Sequence, residues 1–214
     1  MQRVEDGELS ILVGGPVGFG NNMYIVVDRV SGESAFVDAP GSAEENIAFA
    51  EEAGVSPGAI LLTHGHFDHT PGIDGLKAKY GAKLFAAGGE PGVNEGQTDV
   101  TVGHGDTLKV GSLEFRAIHN PGHTPGSTTF VVGGHAFTGD TLFPGGPGRT
   151  SSNDLLQQEI ASITTHLYAL PDEMIVWPGH GDSTTIGASK QEYAVFAAKE
   201  HPADLHGDVL WLES

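Results

Sequence analysis

The segment Thr63–Gly72, which reads THGHFDHTPG, constrains the fold of this chain more than any other feature. It places three of the eleven histidines and an aspartate within six residues, directly after the apolar run AILL. Two of these histidines, His64 and His66, share one face of an extended segment because they are two residues apart. Asp68 and His69 follow where the chain is expected to turn from strand into helix. Imidazole and carboxylate together are a ligand set of zinc, iron and manganese, so the segment predicts a metal site at the end of a buried strand.

Three more candidate ligands occur later, each at the predicted end of a strand. His123 lies in NPGHTPGS, Asp140 in TGDTLF and His180 in WPGHG. A glycine precedes each of them, which lets the backbone bend and the side chain project. Taken singly, each of these three would more often be an ordinary turn residue, and a histidine-rich surface loop is the alternative interpretation of the first segment. Their occurrence together favours a shared metal site.

Apolar strand patterns alternate with helical patterns along the whole chain, which predicts an α/β fold in a single domain, residues 1–214. Gly111–Ser112 and Gly133–Gly134 separate apolar runs and indicate β-hairpins. Helices are predicted between Ser42 and Gly54 and over Gly72–Tyr80, Asp154–Leu170 and Ser189–Lys199. This order suits two sheets packed face to face with helices on their outer sides.

Composition limits the classes of partner. The chain has no cysteine, so disulfides, thiolate zinc sites and a cysteine nucleophile are excluded. A formal net charge of −18 disfavours nucleic acid and anionic lipid as partners. Neither a signal peptide nor a membrane span is apparent, so a cytoplasmic location is expected. The oligomeric state is left open.

The four motifs THGHFDH, PGHTPGS, GDTLF and PGHG resemble those of the metallo-β-lactamase superfamily. The residues within the motifs are most similar to those of the glyoxalase II (hydroxyacylglutathione hydrolase) branch. The resemblance covers nearly the whole chain. It implies a four-layer αββα sandwich with the metal site at one edge of the two sheets. It also implies two divalent metal ions, with zinc as the first choice and iron or manganese as alternatives. One ion would be held by His64, His66 and His123, the other by Asp68, His69 and His180, with Asp140 bridging both.

The same resemblance implies hydrolysis of a small-molecule thioester by a metal-bridging hydroxide, with Asp68 and Asp140 as catalytic residues. Arg149 would bind a carboxylate of the substrate, and Asp38 in VDAPG would hold a ligand histidine. Glyoxalase II has a C-terminal helical extension that this chain does not reach, so the acyl group and the thiol carrier stay open. The glycine-rich segment Gly14–Gly20 is a candidate flap over the site. The apolar tail Val209–Leu212 is expected to dock on the body of the protein.

Other activities fit the motifs too. A persulfide dioxygenase would use one iron held by His64, His123 and Asp140. A lactonase or another ester hydrolase fits the metal ligands but has no residue signal of its own in this sequence. A β-lactamase is disfavoured because a bridging carboxylate is not its pattern. A non-catalytic metal-binding protein is the alternative outside enzymes, and the mixed oxygen and nitrogen ligands disfavour it.

Overall fold

The computed structural model of the protein describes residues 1–94 and 96–214. Two large sheets and one small one account for its strands. The first sheet contains seven strands in sequential order: β1 (Gln2–Asp6), β2 (Leu9–Val17), β3 (Asn21–Asp28), β4 (Ser34–Val37), β5 (Ala59–Leu61), β6 (Lys83–Ala87) and β7 (Val100–Val102). Strands β1 to β4 pair antiparallel, and β4 to β7 pair parallel.

The second sheet has six strands in the order β15-β14-β11-β10-β9-β8. Its members are β8 (Thr107–Val110), β9 (Leu113–His119), β10 (Thr128–Val132), β11 (His135–Gly139), β14 (Ile175–Pro178) and β15 (Thr184–Thr185). The predicted hairpins are confirmed, because β8 pairs with β9 and β10 with β11 in antiparallel register. Strands β11 and β14 are parallel, which brings their carboxyl ends to the same edge. The short strands β12 (Leu142–Phe143) and β13 (Gly146–Pro147) form a separate ribbon beside it.

The described residues form four α-helices: α1 (Ala43–Ala53), α2 (Ile73–Tyr80), α3 (Asn153–Ser162) and α4 (Ile186–Ala197). The predicted start of α1 is confirmed, since Ser42 and Glu45 form a reciprocal capping box and Gly54 ends the helix in a left-handed conformation. The long helix predicted over Asp154–Leu170 is shorter than expected. After α3 the chain widens into a π-helical turn, Ile163–Leu167, in which Tyr168 N–H donates to the carbonyl of Ile163. Helix α4 also begins earlier than its apolar pattern indicated.

Three apolar clusters define the layers. The central cluster fills the space between the sheets, for example with Ile11 from β2, Phe115 from β9 and Phe130 from β10. Helices α1 and α2 cover the outer face of the first sheet through Phe49 and Leu76, among others. Helices α3 and α4 cover the second sheet in the same way. The predicted four-layer αββα sandwich is therefore confirmed.

The chain ends by packing against the second sheet and its helices. Val209 and Trp211 are fully buried in the apolar cluster around α4, and Trp211 N–H donates to the carbonyl of Gly145 at 2.7 Å. The tail therefore docks on the body of the protein, as expected. In the described part of the chain, no helix combines the length and the apolar character needed to span a membrane.

Candidate metal centre

The predicted ligands come together at one edge of the sandwich, where strands from both sheets end. His64 follows β5 of the first sheet, while His123, Asp140 and His180 follow β9, β11 and β14 of the second. A backbone hydrogen bond of 2.8 Å from Thr128 N–H to the carbonyl of Thr63 joins the sheets at this edge. The parallel strands β4 and β5, and likewise β11 and β14, direct their carboxyl ends here. The candidate ligands predicted from the sequence therefore lie close together at this edge.

The first metal-capable group consists of three imidazoles. The ring nitrogens of His64, His66 and His123 lie within 4.8 Å of one another. His66 Nδ1 is 3.1 Å from His64 Nε2 and 2.9 Å from His123 Nε2. His123 Nδ1 lies 2.8 Å from the carbonyl of Arg149, which requires a proton on Nδ1 and leaves the lone pair of Nε2 facing the group.

The second metal-capable group contains Asp68, His69 and His180. Asp68 Oδ2 is 3.5 Å from His69 Nε2 and 3.2 Å from His180 Nε2. The i to i+1 placement of Asp68 and His69 brings both side chains together only because the chain turns here toward α2.

Asp140 lies between the two groups. Its Oδ1 is 3.4 Å from His69 Nε2, and its Oδ2 is 3.5 Å from His180 Nε2 and 3.8 Å from His123 Nε2. A carboxylate so placed can contribute one oxygen to each group. The buried Oδ1 has no hydrogen-bond partner in the described part of the chain, and a cation would satisfy this oxygen.

The charges of the site also suit cations. Burial, together with the neighbouring His69, holds the pKa of His64 well below its ordinary value, so its neutral ring can offer a lone pair. Burial opposes ionisation of Asp140, but the imidazoles of His180 and His69 outweigh it and hold the pKa of this carboxyl well below its usual range. Burial likewise opposes a charge on His69, yet Asp38 and Asp140 raise its pKa to about 10. A cation entering here therefore displaces a proton.

Asp38, the residue expected to hold a ligand histidine, contacts His69 on the side away from Asp68 and Asp140. It lies just past β4 and is buried, with a backbone φ of 58° that aspartate tolerates better than most residues. Its Oδ2 is 2.8 Å from His69 Nδ1 and accepts from the hydroxyl of Thr63 at 2.8 Å, while Oδ1 accepts from Thr63 N–H at 2.7 Å. This contact fixes the His69 ring so that its Nε2 faces Asp68 and Asp140.

The glycine-rich segment Gly14–Gly20 lies beside the second group. Its first residues continue β2, and only its tip is a turn. At that tip the exposed ring of Phe19 packs edge-on against Phe67 of the histidine segment, with ring centroids 4.9 Å apart. The segment therefore reaches the metal-capable loop, which is the position required of a flap.

A cavity of about 240 Å³ opens next to the first group. His123 and Asp140 line its inner end, and Phe143 and Leu210 supply apolar wall. Arg149 stands at its rim with an exposed side chain that forms an ion pair with Asp208 of the tail. The structure thus places Arg149 near the site, but a substrate carboxylate would have to compete with Asp208 for it.

Two residues of this region were missed from the sequence. Asn21, the fully buried first residue of β3, places its amide against the second group. The one sequence feature that could have identified Asn21 is its position as a polar residue directly after a glycine turn. Glu159 of α3 is fully buried against Gly122, next to His123. The sequence feature that could have identified Glu159 is a carboxylate between Leu156 and Ile160 on the apolar face of a helix.

We expect Glu159→Leu to stabilise the metal-free protein. Neither carboxyl oxygen has a hydrogen-bond partner in the described chain, and burial raises the pKa of Glu159 from 4.5 to about 9. Because the pKa of this carboxyl is higher in the folded than in the unfolded protein, its protonated form favours folding. This contribution to stability is complete below pH 4.5 and is lost as the pH rises to about 9. Because an unsatisfied buried polar group costs about 1–3 kcal/mol, the free energy of unfolding should rise by that amount at pH 8.

Urea unfolding of the Glu159→Leu variant and the wild type at pH 5 and pH 8 tests this expectation. The difference between them should be larger at pH 8. Gln157→Leu, an exposed change on the same helix, is the control and should change little at either pH. An equal or negative difference at pH 8 would show that Glu159 is satisfied in solution.

Comparisons with known proteins found related sequences and structures. The model of the metallo-beta-lactamase superfamily matches residues 16–180. The chain is 35% identical over 194 residues to "Hydroxyacylglutathione hydrolase GloC" of Haemophilus influenzae, covering 81% of this chain and 91% of that protein. The hydroxyacylglutathione hydrolase of Xanthomonas euvesicatoria is 35% identical over 163 residues, which are 76% of this chain but only 62% of that longer protein.

Solved structures give the same picture. The crystal structure of BLEG-1 B3 metallo-beta-lactamase is similar with a TM-score of 0.75 and 28% identity, covering 86% of this chain and 96% of that one. That of ETHE1 from Myxococcus xanthus has a TM-score of 0.76 and 26% identity, covering 93% and 85%. Proteins with different names therefore share this fold, so the activity has to be argued from the site.

Proposed function

The chain belongs to the metallo-beta-lactamase superfamily, and from this premise we propose that it is a metal-dependent hydrolase of a small-molecule thioester of the hydroxyacylglutathione type. The observation that carries the proposal is the position of Asp140 between the two metal-capable groups. Its Oδ1 lies 3.4 Å from His69 of the second group, and its Oδ2 lies 3.5 Å from His180 of that group and 3.8 Å from His123 of the first. A carboxylate between two such groups suits a pair of divalent cations. The hydroxyacylglutathione hydrolases among the relatives support the thioester as substrate.

Bound at these groups, two divalent cations would ionise water near neutral pH and polarise the carbonyl of the substrate. The residues of the chain would hold and orient the reactants. Burial opposes ionisation of Asp68, but His180 and Asn21 hold its pKa well below its usual value, so it is a carboxylate that can orient the attacking water. An ordinary thiol has a pKa of about 8.5, so the leaving group departs as a thiolate without a strong proton donor.

The substrate would occupy the cavity beside His123 and Asp140. Its apolar wall, which includes Phe143 and Leu210, suits the acyl part, and Arg149 at the rim suits a carboxylate of the thiol. Since Asp208 already pairs with Arg149, binding an anionic thiol requires this ion pair to open or to be shared. The tail, which supplies Asp208 and Leu210, would thus help to form the substrate site.

A persulfide dioxygenase is the second candidate. It is supported by the similarity to ETHE1 and by the fact that His64, His123 and Asp140 meet here. In that case His180 would be dispensable, whereas a hydrolase that needs both ions depends on it. The residue therefore separates the two activities.

We expect protein loaded with excess Zn²⁺, and then freed of unbound ion, to hold about two equivalents and to hydrolyse S-lactoylglutathione. Metal content is measured by mass spectrometry, and hydrolysis by the released thiol. His180→Ala should lower hydrolysis about 100-fold or more, because it removes a ligand of the second ion. His206→Ala, an exposed change in the tail, serves as the control.

The opposite result has a distinct signature. One iron per chain, oxygen consumption with glutathione persulfide and no thioester hydrolysis would replace the proposed hydrolase by the dioxygenase. In that case His180→Ala should leave oxygen consumption unchanged.

A further inference from the structure

One atom of Asn21 contacts all three members of the second metal-capable group. Its amide nitrogen Nδ2 lies 2.9 Å from Asp68 Oδ2, 3.3 Å from His69 Nε2 and 3.2 Å from His180 Nε2. The side chain is fully buried, so solvent does not compete for these contacts. The amide therefore faces the position from which a cation would contact the same three atoms.

The orientation of this amide is set by its neighbours. Phe19 N–H donates to Asn21 Oδ1 at 3.2 Å, and Nδ2 donates to the carboxylate of Asp68. Turning the amide over would place Oδ1 against the carboxylate oxygen and the NH₂ group against the N–H of Phe19. Both contacts would then become repulsive, so the NH₂ group stays directed at the metal-capable atoms.

The backbone around Asn21 leaves it little room to withdraw. Asn21 forms an isolated β-bridge with His180, and Asn22 N–H donates to the carbonyl of Gly179 at 2.8 Å. The side chain of Asn22 also donates to the carbonyl of Gly181 at 2.8 Å. The start of β3 is therefore hydrogen-bonded to the loop that contains His180.

A cation at this position meets an unfavourable neighbour. Zinc binds nitrogen and oxygen ligands at about 2.0–2.2 Å, so an ion touching all three atoms also has the Asn21 nitrogen close to it. Amide hydrogens carry partial positive charge and repel a cation. The first group differs, because the contacts behind its rings are the hydroxyl of Thr63 and the carbonyl of Arg149, which do not point into the site.

We propose that Asn21 makes the two metal sites unequal: its amide weakens binding of the ion held by Asp68, His69 and His180, and leaves the ion held by the three imidazoles unaffected. The inference rests on the metal-binding part of the proposed function. It makes Asn21 the residue that determines whether the chain carries one ion or two at a limiting metal concentration. A hydrolase that needs both ions would then respond to metal supply.

The test is stepwise Zn²⁺ binding to metal-free protein, followed with a competing chelator of known affinity. The wild type should bind two equivalents in separate steps. In Asn21→Ala, the dissociation constant of the second step should fall about tenfold, which corresponds to about 1.4 kcal/mol of binding free energy. The first step is the internal control and should stay within about twofold, since the hydrogen-bond contacts of the Asn21 amide nitrogen in the described part of the chain are with members of the second group.

Asn21→Ser provides a second variant in case alanine unfolds the hairpin, because its hydroxyl can still accept from Phe19 N–H. Tighter second-step binding in either folded variant supports the proposal. An unchanged or weaker second step overturns it, and a weaker one would show that Asn21 is itself a ligand. These outcomes do not depend on thioester turnover, so the proposed hydrolase activity can fail while this inference stands, and the reverse.

Discussion

Asp140→Asn is expected to lower kcat/KM about 1,000-fold and to reduce bound zinc by at least one equivalent. Oδ1 of this carboxylate lies 3.4 Å from His69 of the second group, and Oδ2 lies 3.8 Å from His123 of the first. An amide cannot serve both groups in the same way, because one of its two polar atoms is a donor. Losing several kcal/mol of electrostatic stabilisation corresponds to a rate loss of this size. The side chain keeps its shape, so the change tests charge and not packing. Metal content and hydrolysis rate, measured on the same sample, check the expectation.

Asp172→Asn is the matched control, since that carboxylate is exposed and pairs with Lys190 far from the metal-capable groups. Its metal content and activity should equal those of the wild type. If Asp140→Asn kept two equivalents and its activity, then Asp140 would not bridge the two groups, and the proposed binuclear site would be wrong.

Gly179→Ala should remove the second ion and lower hydrolysis by about 100-fold or more. A methyl group on Gly179 would lie 2.6 Å from Cε1 of His69 and closer still to Oδ1 of Asp140. Neither side chain can move aside freely, because Asp38 holds the His69 ring at 2.8 Å and Asp140 is enclosed between both groups. A misplacement of about 1 Å in a catalytic site is enough for such a loss.

Gly58→Ala separates this effect from the general cost of replacing glycine. Gly58 has open space where a methyl group would point, and its φ is not in the left-handed region. It should retain two ions and full activity. If Gly179→Ala matched Gly58→Ala in metal content and hydrolysis rate, the loop that contains His180 would have to shift at little energetic cost. That result would contradict the close packing described above.

The parts of the site that could be predicted are those whose chemistry is local. His64, His66, Asp68 and His69 stand together in the sequence, and each later ligand is marked by a glycine at a strand end. The fold could also be predicted, because apolar strands, turns and helix caps alternate regularly along the sequence. Strands β1 and β7 were missed because both are edge strands with mostly exposed side chains.

Asn21 and Glu159 could not be predicted, since their importance comes only from what surrounds them. Asn21 is 47 residues from Asp68 and 159 from His180, and no local pattern links these positions. Glu159 looks like a polar residue within an ordinary amphipathic helix until Gly122 is seen to pack on it. The same holds for Asp208, whose pairing with Arg149 depends on where the tail docks.

The metal-capable groups draw on residues from both sheets, and this has a consequence for biosynthesis. As the chain is made from its N-terminus, the three imidazoles of the first group are all present once His123 has been added. The second group needs His180, 57 residues later, and both groups need their strands in place before their ligands can meet. Metal binding to a site absent from the unfolded chain contributes directly to folding free energy. The order of the ligands along the chain therefore means that the first group has all of its ligands synthesised before the second group does.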